Sequence, residues 1–226
     1  KYSLKIGVLT FEPMPKMFFN NKLDNFRISN LDQKIYYLKN LNVDFIITKK
    51  FDKKFSKTKS ISFIQKTLGN KLKPRFIFVS NNFRFGNKRE GDVNQLIQFE
   101  KLCSFKVVKP KPLFKNKKIV SSTLIRSFLQ EGKLQKANKF LGRKWSIVGK
   151  VQKGKQLGKK IGFPTANIDI KDYVLASPGV YAVRTKVVKS SKFIRGIANL
   201  GYRPTFNGKK ILLEVHLFNF SGNLYN

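Results

Sequence analysis

The segment GKQLGKKIGFPTAN, residues 154–167, carries residue types suited to binding phosphate and a divalent cation. A glycine-rich loop offers backbone N–H groups to phosphate oxygens, and Lys155 adds a positive charge. Thr165 and Asn167 supply two neutral oxygen ligands of the kind that Mg²⁺ accepts. A glycine-rich hairpin between two strands has a similar composition, so this segment alone leaves a structural interpretation open.

A carboxylate in the segment ILLEVHLF, residues 211–218, is a candidate general base. The alternation of the segment predicts a strand whose one face is apolar, with Glu214 and His216 on the other face. A lone carboxylate is costly in such an apolar strand, which favours a functional role. Pairing of Glu214 with one of the many lysines is the alternative. For His216 the pattern favours a packed or rim histidine over a metal ligand.

A third group of residues could bind an anion at a helix start. In VSSTLIR, residues 120–126, Ser122 and Thr123 begin a predicted helix and Arg126 follows one turn later. Hydroxyls, helix N–H groups and a guanidinium would then face one anion. An ordinary helix N-cap has the same pattern. The preceding polar segment SNNFRFGNKREGD covers residues 80–92.

The elements that must position these residues differ between two parts of the chain. Up to about residue 142, short apolar runs alternate with helical patterns, which predicts a parallel α/β sheet. The predicted strands are 4–11, 43–48, 75–80 and 105–109, and the predicted helices are 31–41, 61–72, 93–103, 123–132 and 133–142. Ser29 and Asn30 can cap the first of these helices.

Beyond residue 142 the pattern changes to strands rich in Val, Ile and aromatic residues, with turns between them. Such a pattern predicts an antiparallel sheet or barrel. The predicted strands include WSIVGKVQKG (145–154), GVYAVRTKVV (179–188), IRGIANLG (194–201) and ILLEVHLFNF (211–220). A domain boundary is therefore predicted near residue 142.

The composition limits the classes of partner. The chain has 47 basic and 12 acidic residues and a net charge of +35, but the excess is spread evenly along it and forms no basic arm or tail. Lys far outnumbers Arg, as an AT-rich coding sequence produces, so we expect a solvated basic surface rather than a nucleic-acid partner. A polyanionic partner is the alternative.

Single copies of two residue types limit the chemistry further. Cys103 and His216 are the only residues of their kinds, which excludes an intramolecular disulfide and a Cys/His metal cluster. No apolar run is long enough to predict a membrane span, and a cytoplasmic protein is expected. The sequence does not predict an oligomeric state.

The order and spacing of several motifs resemble the bacterial bifunctional riboflavin kinase/FMN adenylyltransferases (FAD synthetases) along nearly the whole chain. The motifs are TFEP, NNFRFGNKREGD, VSSTLIRSFLQEGKLQKANKFLGRKWSIVGKV, LGKKIGFPTANI, GVYAV, IANLGYRPTF and LEVHLFNF. PTAN followed by LEVH is specific to the kinase module. The resemblance implies a Rossmann-like nucleotidyltransferase domain over residues 1–142 and a six-stranded antiparallel riboflavin kinase β-barrel over residues 143–226.

The resemblance also implies roles for the residues described above. Thr165 and Asn167 match the family's Mg²⁺ and ATP-phosphate ligands, and Glu214 matches its catalytic base, which deprotonates the ribityl 5′-hydroxyl of riboflavin. The implied kinase ATP site comprises Gly154, Lys155, Gly158, Gly162, Phe163, Pro164, Thr165 and Asn167. The implied adenylyltransferase site for ATP and flavin comprises Asn82, Phe83, Arg84, Phe85, Gly86, Ser122, Thr123 and Arg126.

Departures from the family pattern add further expectations. The family's G-x-F-D-G-x-H-x-G-H segment is absent, and both ends of the sequence look truncated. We therefore expect an unstable first domain and loss of the adenylyltransferase step. Ser80 and Asn82 stand where Gly and Asp are usual, and Met14 stands where His is frequent. The alternatives are a monofunctional riboflavin kinase with a degenerate first domain and a basic RNA-binding protein.

Overall fold

A computed structural model describes residues 3–20, 26–153, 162–187, 190, 192–205 and 208–224. The chain divides into two compact units. Unit 1 comprises Lys1–Asn20 and Val43–Val120, and unit 2 comprises Asn21–Asn42 and Ser121–Asn226. An early segment of the chain therefore belongs to the unit that holds the C-terminal part. The predicted module boundary at residue 142 lies inside unit 2 and stays a prediction.

Strands and short helices alternate in unit 1, whereas long strands dominate the C-terminal part of unit 2. The strands are β1 (Gly7–Glu12), β2 (Phe45–Lys50), β3 (Phe76–Phe78), β4 (Arg84–Phe85), β5 (Gly91–Asp92), β6 (Lys106–Val108), β7 (Phe114–Lys115), β8 (Lys118–Ile119), β9 (Val151–Gln152), β10 (Ala166–Ile168), β11 (Gly179–Lys186), β12 (Phe193–Thr205) and β13 (Gly208–Leu217). The α-helices are α1 (Pro15–Phe19), α2 (Leu31–Lys39), α3 (Lys53–Ser56), α4 (Ser60–Ser62), α5 (Val93–Gln98), α6 (Glu100–Cys103), α7 (Ser122–Gln130) and α8 (Leu134–Leu141). A π-helix spans Phe63–Leu72 and a 3₁₀-helix spans Asn87–Arg89. In the part of the chain described here, no helix is long and apolar enough to cross a lipid bilayer.

The predicted parallel pairing is confirmed in unit 1. Strand β1 pairs in parallel with β2, and β3 pairs in parallel with β6. Among the described residues these strands form two separate pairs rather than one larger sheet. The core of the unit is formed by Phe63, Ile64, Leu68, Phe85, Leu96 and Phe105.

Two predicted helices of unit 1 have a different geometry from a single α-helix. The helix predicted over 61–72 continues from α4 as a π-helix and ends at Lys73, whose φ of 46° lies in the left-handed region. The helix predicted over 93–103 is divided at Phe99 into α5 and α6.

The predicted antiparallel sheet is confirmed in unit 2. Its order is β11-β12-β13-β10-β9, with antiparallel pairing throughout. The inward side chains of β12 and β13, including Ala198, Leu200, Val215 and Leu217, are buried. Glu214 and His216 point to the opposite face, as the alternation predicts.

The strand predicted over 145–154 is wrong for residues 145–150 and 153, and among the described residues only Val151–Gln152 form a strand. Its apolar residues Trp145 and Ile147 pack against the core of unit 2. The backbone of Val148 is bonded to a side chain instead of a neighbouring strand: its N–H donates to the Tyr173 hydroxyl at 3.1 Å.

Helix α2 is anchored inside unit 2 by a buried polar network. Its N-cap Asn30 forms a capping box with Gln33, which is 6 % exposed. The Gln33 amide donates to the Ser146 carbonyl at 3.0 Å, and its oxygen accepts from the Tyr173 hydroxyl at 2.8 Å. Because each of these polar groups is buried with a partner, the network favours one position for α2 in this unit.

Candidate active site

A row of four polar side chains crosses the outer face of the unit 2 sheet. In the strand register Asn167 of β10 lies opposite Glu214 of β13 on one side and Gln152 of β9 on the other. Glu214 in turn lies opposite Asn199 of β12. Residues directly opposite in an antiparallel pair have Cβ atoms about 4.5–5.5 Å apart, so the four side chains are neighbours on one face.

Glu214, the predicted base, is half-buried at the centre of this row. No Lys or Arg side chain that the structure describes lies within 4.0 Å of its carboxylate. The lysine pair that the sequence left as an alternative is therefore not formed by any of these described side chains. A carboxylate without such a cation keeps its lone pairs for a substrate proton.

Asn167, a predicted cation ligand, is 7 % exposed, and its side-chain oxygen Oδ1 is buried without a hydrogen-bond partner among the described residues. An unsatisfied buried oxygen lowers the stability of a folded chain by about 1–3 kcal/mol. Because this oxygen has no bond to another described residue, a ligand can bind to it without first breaking such a hydrogen bond. Thr165 lies two residues earlier and is half-buried.

His216 contacts the segment that leads into β10. Its Nδ1 lies 2.9 Å from the carbonyl oxygen of Pro164, which can only accept, so Nδ1 carries the proton in this bond. The ring also makes edge contacts with Phe163 and Phe218, at centroid distances of 5.5 and 5.8 Å. These ring contacts are those of a packed or rim histidine, and the preference over a metal ligand stays a prediction; the bond to Pro164 was not foreseen.

Part of the predicted glycine loop is described by the structure. Gly162 has a φ of 82°, in the left-handed region that glycine adopts without strain. Phe163 follows it and is 61 % exposed. Gly154, Lys155 and Gly158 lie outside the described residues.

Asn199 and Gln152 complete the row, and sequence reasoning did not single them out. Asn199 belongs to the outward set of β12, and its polar character among Ile197 and Gly201 could have marked it once the strand was recognised. Gln152 donates through Nε2 to the Asp169 carboxylate at 3.2 Å. Their position could not be derived before the register of the strands was known.

In unit 1, the segment predicted to bind flavin and nucleotide has both buried and exposed members. Phe85 is 8 % exposed and packs in the core, where it contacts Phe63 and stacks on Phe83 at 5.5 Å. Phe85 therefore offers little surface to a ligand and instead anchors the segment to the core of unit 1. Asn82 and Arg84 are exposed.

Gly86 ends this segment with a φ of 76° and lies against the backbone of Ser60. A Cβ atom at this position would lie 2.7 Å from the Ser60 nitrogen, so only glycine fits. Before it, the Arg84 guanidinium forms an exposed ion pair with Asp92 at 3.2 Å. The Asn82 oxygen accepts from the Ser80 hydroxyl at 2.9 Å.

The predicted anion-binding helix start is present as α7 in unit 2. Ser121 is the N-cap, and its hydroxyl accepts from the Leu124 N–H at 3.2 Å. Because Ser121 takes this role, the exposed Ser122 and Thr123 are not needed as caps. Segment 82–86 and α7 belong to different units.

Arg126 lies one turn further along α7 and has a structural contact. Its Nε donates to the Phe26 carbonyl at 2.8 Å, and its guanidinium lies 3.7 Å from the centre of the Phe26 ring. Burial lowers the pKa of this guanidinium. At least one N–H group of Arg126 is thus used inside unit 2 rather than offered to an anion.

Comparison with family models gives two matches along the chain. A model described as FAD synthetase matches residues 1–124, and a model described as riboflavin kinase matches residues 141–226.

Individual relatives agree with these models. The chain is 42 % identical to a bifunctional riboflavin kinase/FMN adenylyltransferase of Buchnera aphidicola subsp. Schizaphis graminum, over all of this chain and 73 % of the relative. It is 41 % identical to the enzyme of the same name from Haemophilus influenzae, covering 99 % and 72 %, and 35 % identical to that of Escherichia coli K12, covering 100 % and 72 %. Among solved structures, it resembles one titled as a macrolide-efflux protein from Streptococcus pneumoniae, with a TM-score of 0.79, 26 % identity and coverage of 99 % and 72 %.

Proposed function

The chain belongs to the family of bifunctional riboflavin kinase/FMN adenylyltransferases, and we propose that its kinase reaction takes place at the polar row around Glu214. It acts in FAD biosynthesis, where riboflavin is phosphorylated by ATP to FMN and FMN is adenylylated to FAD. The observation that carries the assignment of the kinase site is the direct pairing of Glu214 with Asn167 across two neighbouring strands.

In this proposal Glu214 is the general base. Its carboxylate accepts the proton of the ribityl 5′-hydroxyl while that oxygen attacks the γ-phosphorus of ATP. The bond between the γ-phosphorus and the β,γ-bridging oxygen breaks, and ADP leaves with the electron pair. The half-buried carboxylate with no described cation at its side supports this role.

Thr165 and Asn167 would hold the Mg²⁺ that accompanies ATP. The unpartnered, buried oxygen of Asn167 fits such an ion, because Mg²⁺ prefers hard oxygen ligands and completes its shell with phosphates and water. When bound, the ion neutralises charge that develops on the transferred phosphoryl group. The remaining loop residues of the proposed ATP site are Gly154, Lys155, Gly158, Gly162, Phe163 and Pro164.

The outer face beside Glu214 also supports binding of a flat apolar substrate. Ile197 of β12 and Val180 of β11 are 43 % and 70 % exposed, and Phe218 at the end of β13 is 45 % exposed. Exposed apolar groups next to a polar row are typical of a small-molecule site. We propose this face as the surface that contacts the flavin.

For the second reaction we propose that Ser122 and Thr123 bind the phosphates of ATP and that segment 82–86 contacts flavin and nucleotide. The exposed side chains of Ser122 and Thr123 at the start of α7 support the first part. We further propose module bounds of 1–142 and 143–226 and a six-stranded barrel for the kinase module, which the five described antiparallel strands support. The need for ATP supports a cytoplasmic location.

The test is an assay of the purified chain with riboflavin, ATP and Mg²⁺, in which riboflavin, FMN and FAD are separated by chromatography. We expect FMN to form and Glu214→Gln to reduce its rate by at least about a hundredfold, because general-base catalysis contributes about 10²–10⁴-fold. Glu131→Gln is the matched control, since Glu131 is exposed and lies in the turn after helix α7 rather than in the sheet. A Glu214→Gln enzyme as fast as the control would overturn the proposed site.

A further inference from the structure

His216 joins strand β13 to the segment that carries the proposed ATP and Mg²⁺ ligands. It lies two residues after Glu214 on the same outward face, so base and imidazole share one rigid strand. Its Nδ1 bonds to the Pro164 carbonyl at 2.9 Å, and Thr165 is the next residue after that carbonyl. The His216 side chain thus connects the strand that carries Glu214 to the segment that carries Thr165 and Asn167.

The segment needs such a tie because the backbone pairing stops short of it. In the register of β10 and β13 the first paired residue is Ala166, opposite Val215. Pro164 lies outside this ladder and has no N–H to extend it. The Pro164 carbonyl and the Thr165 N–H share one planar peptide group, so a bond that fixes the carbonyl also fixes the peptide plane that leads into Thr165.

Aromatic contacts hold the imidazole in the orientation that this bond requires. Phe163, which precedes Pro164, makes an edge contact with the ring at 67°, and Phe218 makes another at 70°. Such edge contacts favour one ring position over the free rotation of an exposed side chain. Both phenylalanines are substantially exposed and contribute apolar contacts to the imidazole. The Nδ1–H of His216 contributes the hydrogen bond to Pro164.

We propose that His216 is a positioning residue of the kinase reaction: its Nδ1–H holds the Pro164–Thr165 peptide so that Thr165 and Asn167 face Glu214 across the sheet. This inference rests on the proposed kinase site. His216 donates no proton to substrate and binds no metal in this role; it acts through the segment that it holds.

Three substitutions distinguish the contribution of the hydrogen-bond donor of His216 from that of its aromatic ring. His216→Asn places an amide N–H near the position of Nδ1, whereas His216→Gln places it near the position of Nε2. His216→Phe keeps an aromatic ring that can contact Phe163 and Phe218 but has no donor. We expect His216→Asn to retain the wild-type kinetics within about twofold, and the other two variants to lose the bond to Pro164.

The kinetic readout is the KM for MgATP measured separately from the KM for riboflavin. Loss of one hydrogen bond should raise the KM for MgATP by about three- to tenfold in His216→Gln and His216→Phe, with the KM for riboflavin changed by less than about twofold. A purely structural role of His216 would change both constants together and give no rescue by Asn. Either of these two results overturns the proposal.

A second readout needs neither ATP nor catalysis. In the ligand-free chain, amide hydrogen exchange of a peptide covering residues 162–168 should be faster in His216→Phe than in His216→Asn, because only the latter keeps the tether. Equal exchange in the two variants overturns the proposal whatever the kinetics. If the wild-type chain makes no FMN, the proposed function fails on its own, and the exchange measurement still decides whether His216 holds the segment.

Discussion

Asn167 illustrates how a residue can serve a ligand rather than the fold. Its buried oxygen has no partner among the described residues, although it lies in the middle of a well-paired sheet. A sequence optimised for stability alone would place an apolar residue at such a position. The polar oxygen is explained if it is completed by a bound ligand.

The prediction at this scale concerns Asn167→Leu, which keeps the branched shape of the side chain and removes the oxygen. The free energy of unfolding, measured by urea denaturation without ligand, should not fall and should rise by up to about 1–3 kcal/mol, because the unsatisfied buried oxygen is removed. The KM for MgATP should rise by about tenfold or more, because a proposed ligand is removed. Gln95→Met is the control: Gln95 in unit 1 also has a buried oxygen without a described partner, and its loss should leave the kinase kinetics unchanged. A marked loss of stability in Asn167→Leu with unchanged KM would contradict the prediction.

At the scale of elements, the contact between α2 and the loop before β11 depends on Tyr173. This residue is 3 % exposed, and its hydroxyl joins Gln33 to the backbone of Val148. Tyr173→Phe should lower the free energy of unfolding by about 1–3 kcal/mol, because buried polar groups lose their partner while the ring still packs. Chemical denaturation at neutral pH measures this difference.

The same residue gives a pH dependence with a defined sign. Burial raises the pKa of the Tyr173 phenol in the folded chain. Below pH about 10 the phenol is protonated in both the folded and unfolded states, so its contribution to stability is constant. As the pH rises further, the unfolded chain releases the proton first, so this contribution falls and is lost by the folded pKa. The stability difference between wild type and Tyr173→Phe should therefore shrink above pH 10. A difference that grows there would contradict a raised pKa of Tyr173 in the folded chain.

Elements with a local cause could be predicted from the sequence, whereas those that depend on distant partners could not. The cap at Asn30 and the outward face of β13 follow from residue types and alternation, and both are confirmed. The π-helical geometry of 63–72 and the break at Phe99 are small shifts in hydrogen bonding that an apolar periodicity does not encode. The strand predicted over 145–154 failed because its backbone partner is a distant tyrosine hydroxyl.

The candidate site shows the same division. Glu214 and Asn167 could each be selected by type, since one is a carboxylate in an apolar strand and the other belongs to a Thr-x-Asn pair. Their pairing depends on the register between β10 and β13, which are far apart in sequence. The bond between His216 and Pro164 depends on the same register and was equally out of reach.

At the scale of the whole molecule, the two compact units do not follow the order of the sequence. Residues 26–42 belong to unit 2 and contact its C-terminal part, where Trp145 donates from Nε1 to the Ile28 carbonyl at 2.9 Å and the Val174 N–H donates to the Arg27 carbonyl at 2.7 Å. The proposed kinase module of 143–226 thus leaves out residues 26–42, which pack against it in unit 2. A domain boundary read as a point along the chain does not describe such an arrangement.

This arrangement predicts that a fragment of residues 143–226 does not fold as it does in the intact chain. Without 26–42 and the helices α7 and α8, the fragment exposes apolar and polar groups that are otherwise covered, and its stability should fall below what a cooperative transition needs. Trp145 is the only tryptophan of the chain and contacts the missing segment, so its fluorescence reports on the loss. We expect the emission of the fragment to shift to longer wavelength and its thermal transition to broaden.

Addition of a synthetic peptide of residues 26–42 to a longer fragment, 121–226, is the matched test of cause. The peptide restores the partners of Trp145, Tyr173 and Ser146 without changing the covalent fragment, so it should shift the Trp145 emission back toward that of the intact chain. A peptide with Gln33 replaced by Leu should do so less effectively, because its buried hydrogen bonds are absent. If the 143–226 fragment instead shows the emission and cooperative transition of the intact chain, residues 143–226 are an independent folding unit. The segment 26–42 then contacts this unit but is not required for its folding.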